Sequence, residues 1–151
     1  MQTVVCAAPL QAFLAHALKW FGGYKKGEVP MGLDMYAYIT KTEQLGSVDF
    51  DMPEDAKEIA YWRKHPNLHG WMEQLYYDKG GDEVFNCRAV LLEPCDLDAL
   101  EKAVADNNLP HTEGFFFGES CAEHKKDDIA FIEEARKAIG QGYSVFYTSW
   151  W

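Results

Sequence analysis

Basic residues are scarce in this chain: 14 Lys and Arg face 24 Asp and Glu, a formal charge of −10. Phosphate backbones are gripped by clustered Lys and Arg, so direct nucleic-acid binding is not expected. No stretch reaches the roughly 18 consecutive apolar residues of a membrane span, and no membrane association is expected either. Cysteine is sparse as well. Cys6, Cys87, Cys95 and Cys121 lack the regular spacing of a disulfide framework, which points to a reducing compartment such as the cytoplasm. The nucleotide signatures Gly-x-x-x-x-Gly-Lys-Ser/Thr and Gly-x-Gly-x-x-Gly are missing, as are the Gly-x-Ser-x-Gly nucleophile elbow and the His-Glu-x-x-His metal helix. Only one tight pair, Cys121-x-x-His124, has zinc-ligand spacing, and Cys87, Cys95 or His111 would have to complete it. A zinc centre usually needs two such pairs, so neither metal nor cofactor is expected.

What is plentiful is core material. Apolar residues make up 48% of 151 residues and aromatics 15%, enough for one domain with a real hydrophobic interior. Residues 1–30 stand apart from the rest. They make a poor signal peptide, because no positive charge precedes the apolar run and Lys19 follows it directly. One reading is an amphipathic helix, with Pro9 at its start, Leu10, Phe13, Leu14, Ala17 and Leu18 on one stripe, and Gly22-Gly23 at its end. The other comes from the genetic code: Lys26-Gly27-Glu28 can be encoded by a purine run resembling a bacterial ribosome-binding site, which would make Met31 the true start and residues 1–30 an upstream extension. Both remain open at this stage.

From Met31 onward the pattern predicts an α+β domain with a small mixed or antiparallel sheet and about four helices, mainly over one face. Alternation predicts a strand over 34–41. Pro53, Glu54 and Asp55 read as a helix start, with the helix running to His65. Pro66 interrupts it, and Leu68, Trp71, Met72, Leu75 and Tyr76 form the stripe of a second helix. Residues 83–93 read as a central strand containing a buried Cys87, with a helix capped by Asp96 after Pro94. Phe115 to Phe117 read as a short strand or a loop. A helix over 126–139 should bury Ile129, Ile132 and Ile139, and residues 143–151 should form the last strand.

A set of motifs carries a resemblance. MGLDMY at 31–36, YWRK at 61–64, HGW at 69–71, FFFG at 115–118 and the terminal aromatic-Ser-Trp resemble a family of small uncharacterised phage and prophage proteins. Members of that family begin at the MGLDMY methionine. The resemblance implies a bacterial host cytoplasm and an accessory role, and it implies no mechanism.

The richest chemistry lies in residues 58–71. On a helix ending at His65, Glu58, Tyr61 and His65 would share one side, and His69 could fold back toward them beside Arg63 or Lys64. Glu58, His65 and His69 are therefore the candidate acid and base groups of a small hydrolase or transferase. The competing expectation is a non-catalytic binding protein that docks a basic host or defence protein through its acidic charge and aromatics, with Tyr61, Arg63, Lys64, Trp71, Phe116 and Trp151 as contacts. Against both stands core packing of the aromatics and solvation of the charges. A homo-oligomer paired through the terminal aromatic strand as a sheet edge is a further expectation.

Overall fold

The computed structural model describes residues 32–43 and 45–151. The expectations for residues 1–30 and for Met31 lie outside the described residues. Four strands and three helices are found there: β1 (Asp34–Thr40), β2 (Lys57–Arg63), α1 (Pro66–Asp78), β3 (Ala89–Leu92), α2 (Pro94–Ala105), α3 (His124–Gly140) and β4 (Ser144–Trp150). They form a single α+β domain whose sheet is antiparallel throughout, in the order β2-β1-β4-β3.

Alternation along β1 sends Met35, Ala37 and Ile39 into the main core, and Val145 and Tyr147 of β4 join them on the same face. The three helices cover that face with Leu68, Met72 and Tyr76 from α1, Leu97, Leu100 and Val104 from α2, and Phe131, Ile132, Ala135 and Ala138 from α3. Burying each large apolar side chain contributes roughly 1.5–3 kcal/mol. The opposite face is partly covered by Phe50, Met52 and Ala56, which pack on Tyr38 and Phe146. No described helix is long and apolar enough to cross a membrane.

Several elements depart from the sequence pattern. The helix expected to end at His65 is strand β2. Lys57 to Arg63 pairs with β1, and an irregularity between Ala37 and Tyr38 accommodates one extra residue in β2. Asp55 does not open a helix, because its carboxylate is taken by Thr40, the Lys41 amide and Thr42 at the end of β1. The expected central strand over 83–93 shrinks to Ala89–Leu92 at the sheet edge, where residues 47–49 bond to it. Cys87 therefore lies in a loop, on left-handed backbone at φ 56°. Helix α2 starts at Pro94 with Glu93 as N-cap, and Asp96 is the third residue of a reciprocal capping box. Ile129 is exposed, and Asp128 takes the buried position on α3. The terminal strand β4 lies between β1 and β3, so it offers no free edge for a second copy.

Candidate functional site

Strand β2 ends at Arg63, and the next residue reverses the chain. Lys64 adopts left-handed backbone at φ 56° while its N–H donates to the Leu33 carbonyl at 2.8 Å. The reversal places His65 as the residue before α1, with Pro66 at the first helical position, where its missing N–H costs nothing. The His65 side chain then points into the protein and is buried.

Two distant segments meet that ring. Ser120 Oγ lies 2.7 Å from His65 Nδ1, and Asp128 Oδ2 on α3 lies 3.0 Å from Nε2. In the neutral imidazole the ionised carboxylate holds the proton on Nε2, leaving the Nδ1 lone pair to accept the Ser120 hydroxyl. The Asn67 N–H, in the first turn of α1, donates to Ser120 Oγ at 3.0 Å. Ser120 thus caps a helix through an amide 53 residues earlier in the chain. Asn67 also holds the loop, since its Oδ1 accepts the Thr112 N–H at 3.1 Å. Serine, imidazole and carboxylate form one continuous hydrogen-bonded line. Its logic is that of a nucleophile, a base and an orienting group, with the two ring nitrogens exchanged relative to the serine-protease triad.

A second imidazole flanks the first. His124 stacks on His65 with ring centroids 4.3 Å apart and planes 15° off parallel. The His124 Nδ1 accepts the Cys121 N–H at 3.1 Å, and the Cys121 thiol sulfur lies 3.6 Å from the same nitrogen. Burial lowers the His124 pKa, as does the neighbouring His65. Ser120 and Asn67 line two clefts. One, of about 230 Å³, is walled by His65, Cys121, Lys125 and Asp128, with Val104 and Leu109 as its apolar part. The other, of about 560 Å³, is walled by Pro66, Thr112, Glu113, Gly118 and Glu119. A reacting group on Ser120 would stand where the two meet.

Of the candidate catalytic and binding residues of the sequence, only His65 belongs to this constellation, and the Cys121-x-x-His124 pair, weighed there as zinc ligands, lies beside it. Glu58 is exposed on the opposite face of the sheet, where its charge helps to raise the pKa of Tyr36 and Tyr38. Tyr61 donates to Asp34 at 2.6 Å and Arg63 bonds the same carboxylate at 3.3 Å, so neither faces His65. Lys64 is exposed and its stem lies against Gly118. His69 is held in an aromatic box. Its Nδ1 meets the Tyr147 hydroxyl at 3.0 Å, Phe85 stacks on it, and Phe117 and Trp151 present their edges. Burial pushes its pKa down to about 4, which makes it a neutral core group. Trp71 packs against the core. Trp151 is tied down by its indole N–H to the Phe85 carbonyl, and Phe116 projects from the loop beside Phe115.

Ser120, Cys121 and Asp128 escaped the sequence reading as catalytic groups. The one local trace is Gly118-Glu119-Ser120-Cys121-Ala122, which departs from the nucleophile-elbow pattern at its last position and follows a loop in place of a strand. A separate cluster, Glu93, Cys95 and Asp96, could hold a metal ion by proximity. The Lys79 ammonium already sits there, 3.1 Å from Glu93 and 2.5 Å from Asp96, and supplies the positive charge. No family model matches the chain, and no curated protein or solved structure matches it significantly, so the site is read from its geometry.

Proposed function

We propose that the protein is a small hydrolase or transferase working by acyl transfer, with Ser120 as nucleophile, His65 as base and Asp128 as the group that orients and charges the imidazole. The observation that carries this reading is the unbroken line Ser120–His65–Asp128, at 2.7 and 3.0 Å. As Oγ attacks a carbonyl, its proton passes to Nδ1, and the buried carboxylate stabilises the imidazolium that forms. The positive end of α1 faces Oγ through the Asn67 amide and favours negative charge there. Acyl and leaving groups would lie in the two clefts that Ser120 joins. A fluorophosphonate probe tests this: a single adduct mapped to Ser120 is expected, lost in Ser120→Ala and in His65→Gln, with turnover of activated esters lost in parallel. An unlabelled Ser120 in folded protein would overturn the reading.

A second reading, a non-catalytic protein that binds a basic host or defence protein in a phage or prophage setting, is favoured by one observation. Phe115 and Phe116 are 82% and 50% exposed. Phe116 also sits at φ 67°, a conformation that costs a bulky residue roughly 1–2 kcal/mol. Strain that presents aromatic rings to solvent fits an anchor for a partner. Replacing both with Ser should abolish capture of that partner while leaving ester turnover intact; unchanged capture would sink this reading.

A further inference from the structure

Asp128 is 1% exposed. Its Oδ2 receives His65, whereas Oδ1 has no hydrogen-bond partner among the described residues. A buried carboxylate oxygen left bare is costly, and such groups are nearly always satisfied. Asp128 also lines the 230 Å³ cleft. The cation of that cleft does not serve it: the Lys125 ammonium is drawn to the end of α2, where it donates to the Ala105 carbonyl at 3.1 Å and the Asn107 side chain at 3.0 Å. His124 keeps its Nδ1 for the Cys121 amide. The neighbouring Asp127 adds further negative charge.

We infer that this cleft is a subsite for a small primary amine, whose ammonium reaches Asp128 Oδ1 by displacing the side chains that cover that atom and whose carbon chain lies against Val104 and Leu109. An ammonium suits this oxygen better than a neutral donor, because charge-assisted hydrogen bonds are about twice as strong as neutral ones. The volume equals about eight waters at roughly 30 Å³ each, which limits the occupant to a small molecule or the end of a side chain. Amine binding stands independently of turnover. That the amine belongs to the substrate rests on the acyl-transfer reading, in which Asp128 then grips substrate and orients His65 at once.

Cys121, exposed on the wall of the same cleft, makes the occupant readable by disulfide exchange. The Cys121 thiol loses its proton to the buffer, and the thiolate attacks one sulfur of an added symmetrical disulfide. The S–S bond breaks, and the departing thiolate takes up a proton from the buffer. The probes are cystamine, which ends in ammonium groups, and bis(2-hydroxyethyl) disulfide, its neutral counterpart. Cys95 is the internal standard, since it is exposed beside Glu93 and Asp96 and reports general attraction of cations to an acidic surface. Cys87 stays silent, because burial pushes its thiol up to about 11.

Peptide mapping should show a Cys121-to-Cys95 labelling ratio about tenfold higher for cystamine than for the neutral probe, the size of one charged hydrogen bond. The preference should vanish in Asp128→Asn and persist in Ser120→Ala. Should Asp128→Asn fail to fold, propylamine added to the unaltered protein should protect Cys121 from the neutral probe, and propanol should not. An equal ratio for both probes, or a preference that survives Asp128→Asn, overturns the inference, as does absence of protection by propylamine. A Ser120 that resists fluorophosphonate while the amine preference holds would remove the acyl-transfer reading and leave the amine site standing.

Discussion

His65 Nδ1 and Ser120 Oγ stand 2.7 Å apart although 55 residues separate them in the chain. The same hydroxyl caps α1, so the contact has a structural and a chemical side that measurement can separate.

Ser120→Ala should remove ester turnover by roughly a thousandfold or more, as for a nucleophile that acts in concert with its base. Loss of the cap should cost only about 1 kcal/mol, a fall in Tm of about 3–5 °C. Asn67→Asp is the companion variant: its backbone amide still caps through Ser120, so helicity should hold. Turnover that tracks Tm across both variants would assign Ser120 a capping role alone.

His69 should make the protein acid-sensitive. Its imidazole titrates near 6.5 in the unfolded chain and at about 4 when folded, because burial disfavours the cation. Between those values the unfolded chain binds more protons, so stability is full above pH 6.5 and falls as pH drops toward 4, by up to about 3 kcal/mol. Denaturant titrations from pH 7 to pH 4 should show the decline, and His69→Phe should flatten it. An unchanged slope in that variant would assign the effect to other groups.

Gly70→Ala should destabilise, although alanine favours helices by about 1 kcal/mol. A Cβ there would lie 1.9 Å from Thr112 Oγ1 and 2.9 Å from its Cβ, and this clash outweighs the propensity gain. The loop that carries Ser120 should shift with Thr112, lowering fluorophosphonate labelling. Thr112→Gly in the same chain should restore most of both losses; a double variant no better than the single one would refute the steric account.

Lys79→Met should cost about 1–3 kcal/mol, because the ammonium also donates to the Leu91 carbonyl at 2.8 Å and is only 12% exposed. Zinc should leave the Tm of the unaltered protein where it is and raise that of the variant, whose Glu93, Cys95 and Asp96 have lost their cation. A zinc-dependent rise in the unaltered protein would show that the cluster accepts metal despite Lys79.

The fold was legible where local pattern and tertiary role agree. Met35, Ala37 and Ile39 alternate and do face the core, and the Leu68 to Tyr76 stripe is a helix. Lys57 to Arg63 is only seven residues long, too short for periodicity to separate helix from strand, and its pairing with β1 decided the outcome. His65 could be marked as chemistry from its neighbours in sequence. Its partners could not, because no spacing rule links it to Ser120 or to Asp128, 63 residues away. The only hint of Asp128 was a polar residue on the helix face that expected Ile129 inside.

The position of β4 governs how the molecule comes into being. Until residues 144–150 insert, the β1–β2 pair and β3 share no strand ladder and meet only through residues 47–49 of the β1–β2 connection. Inserting β4 joins the two ends of the described chain, a long-range step whose entropy must be met before its contacts form. Folding should therefore be slow for a domain of this size, and His65, Ser120 and Asp128 should reach their working geometry only once β4 is in place.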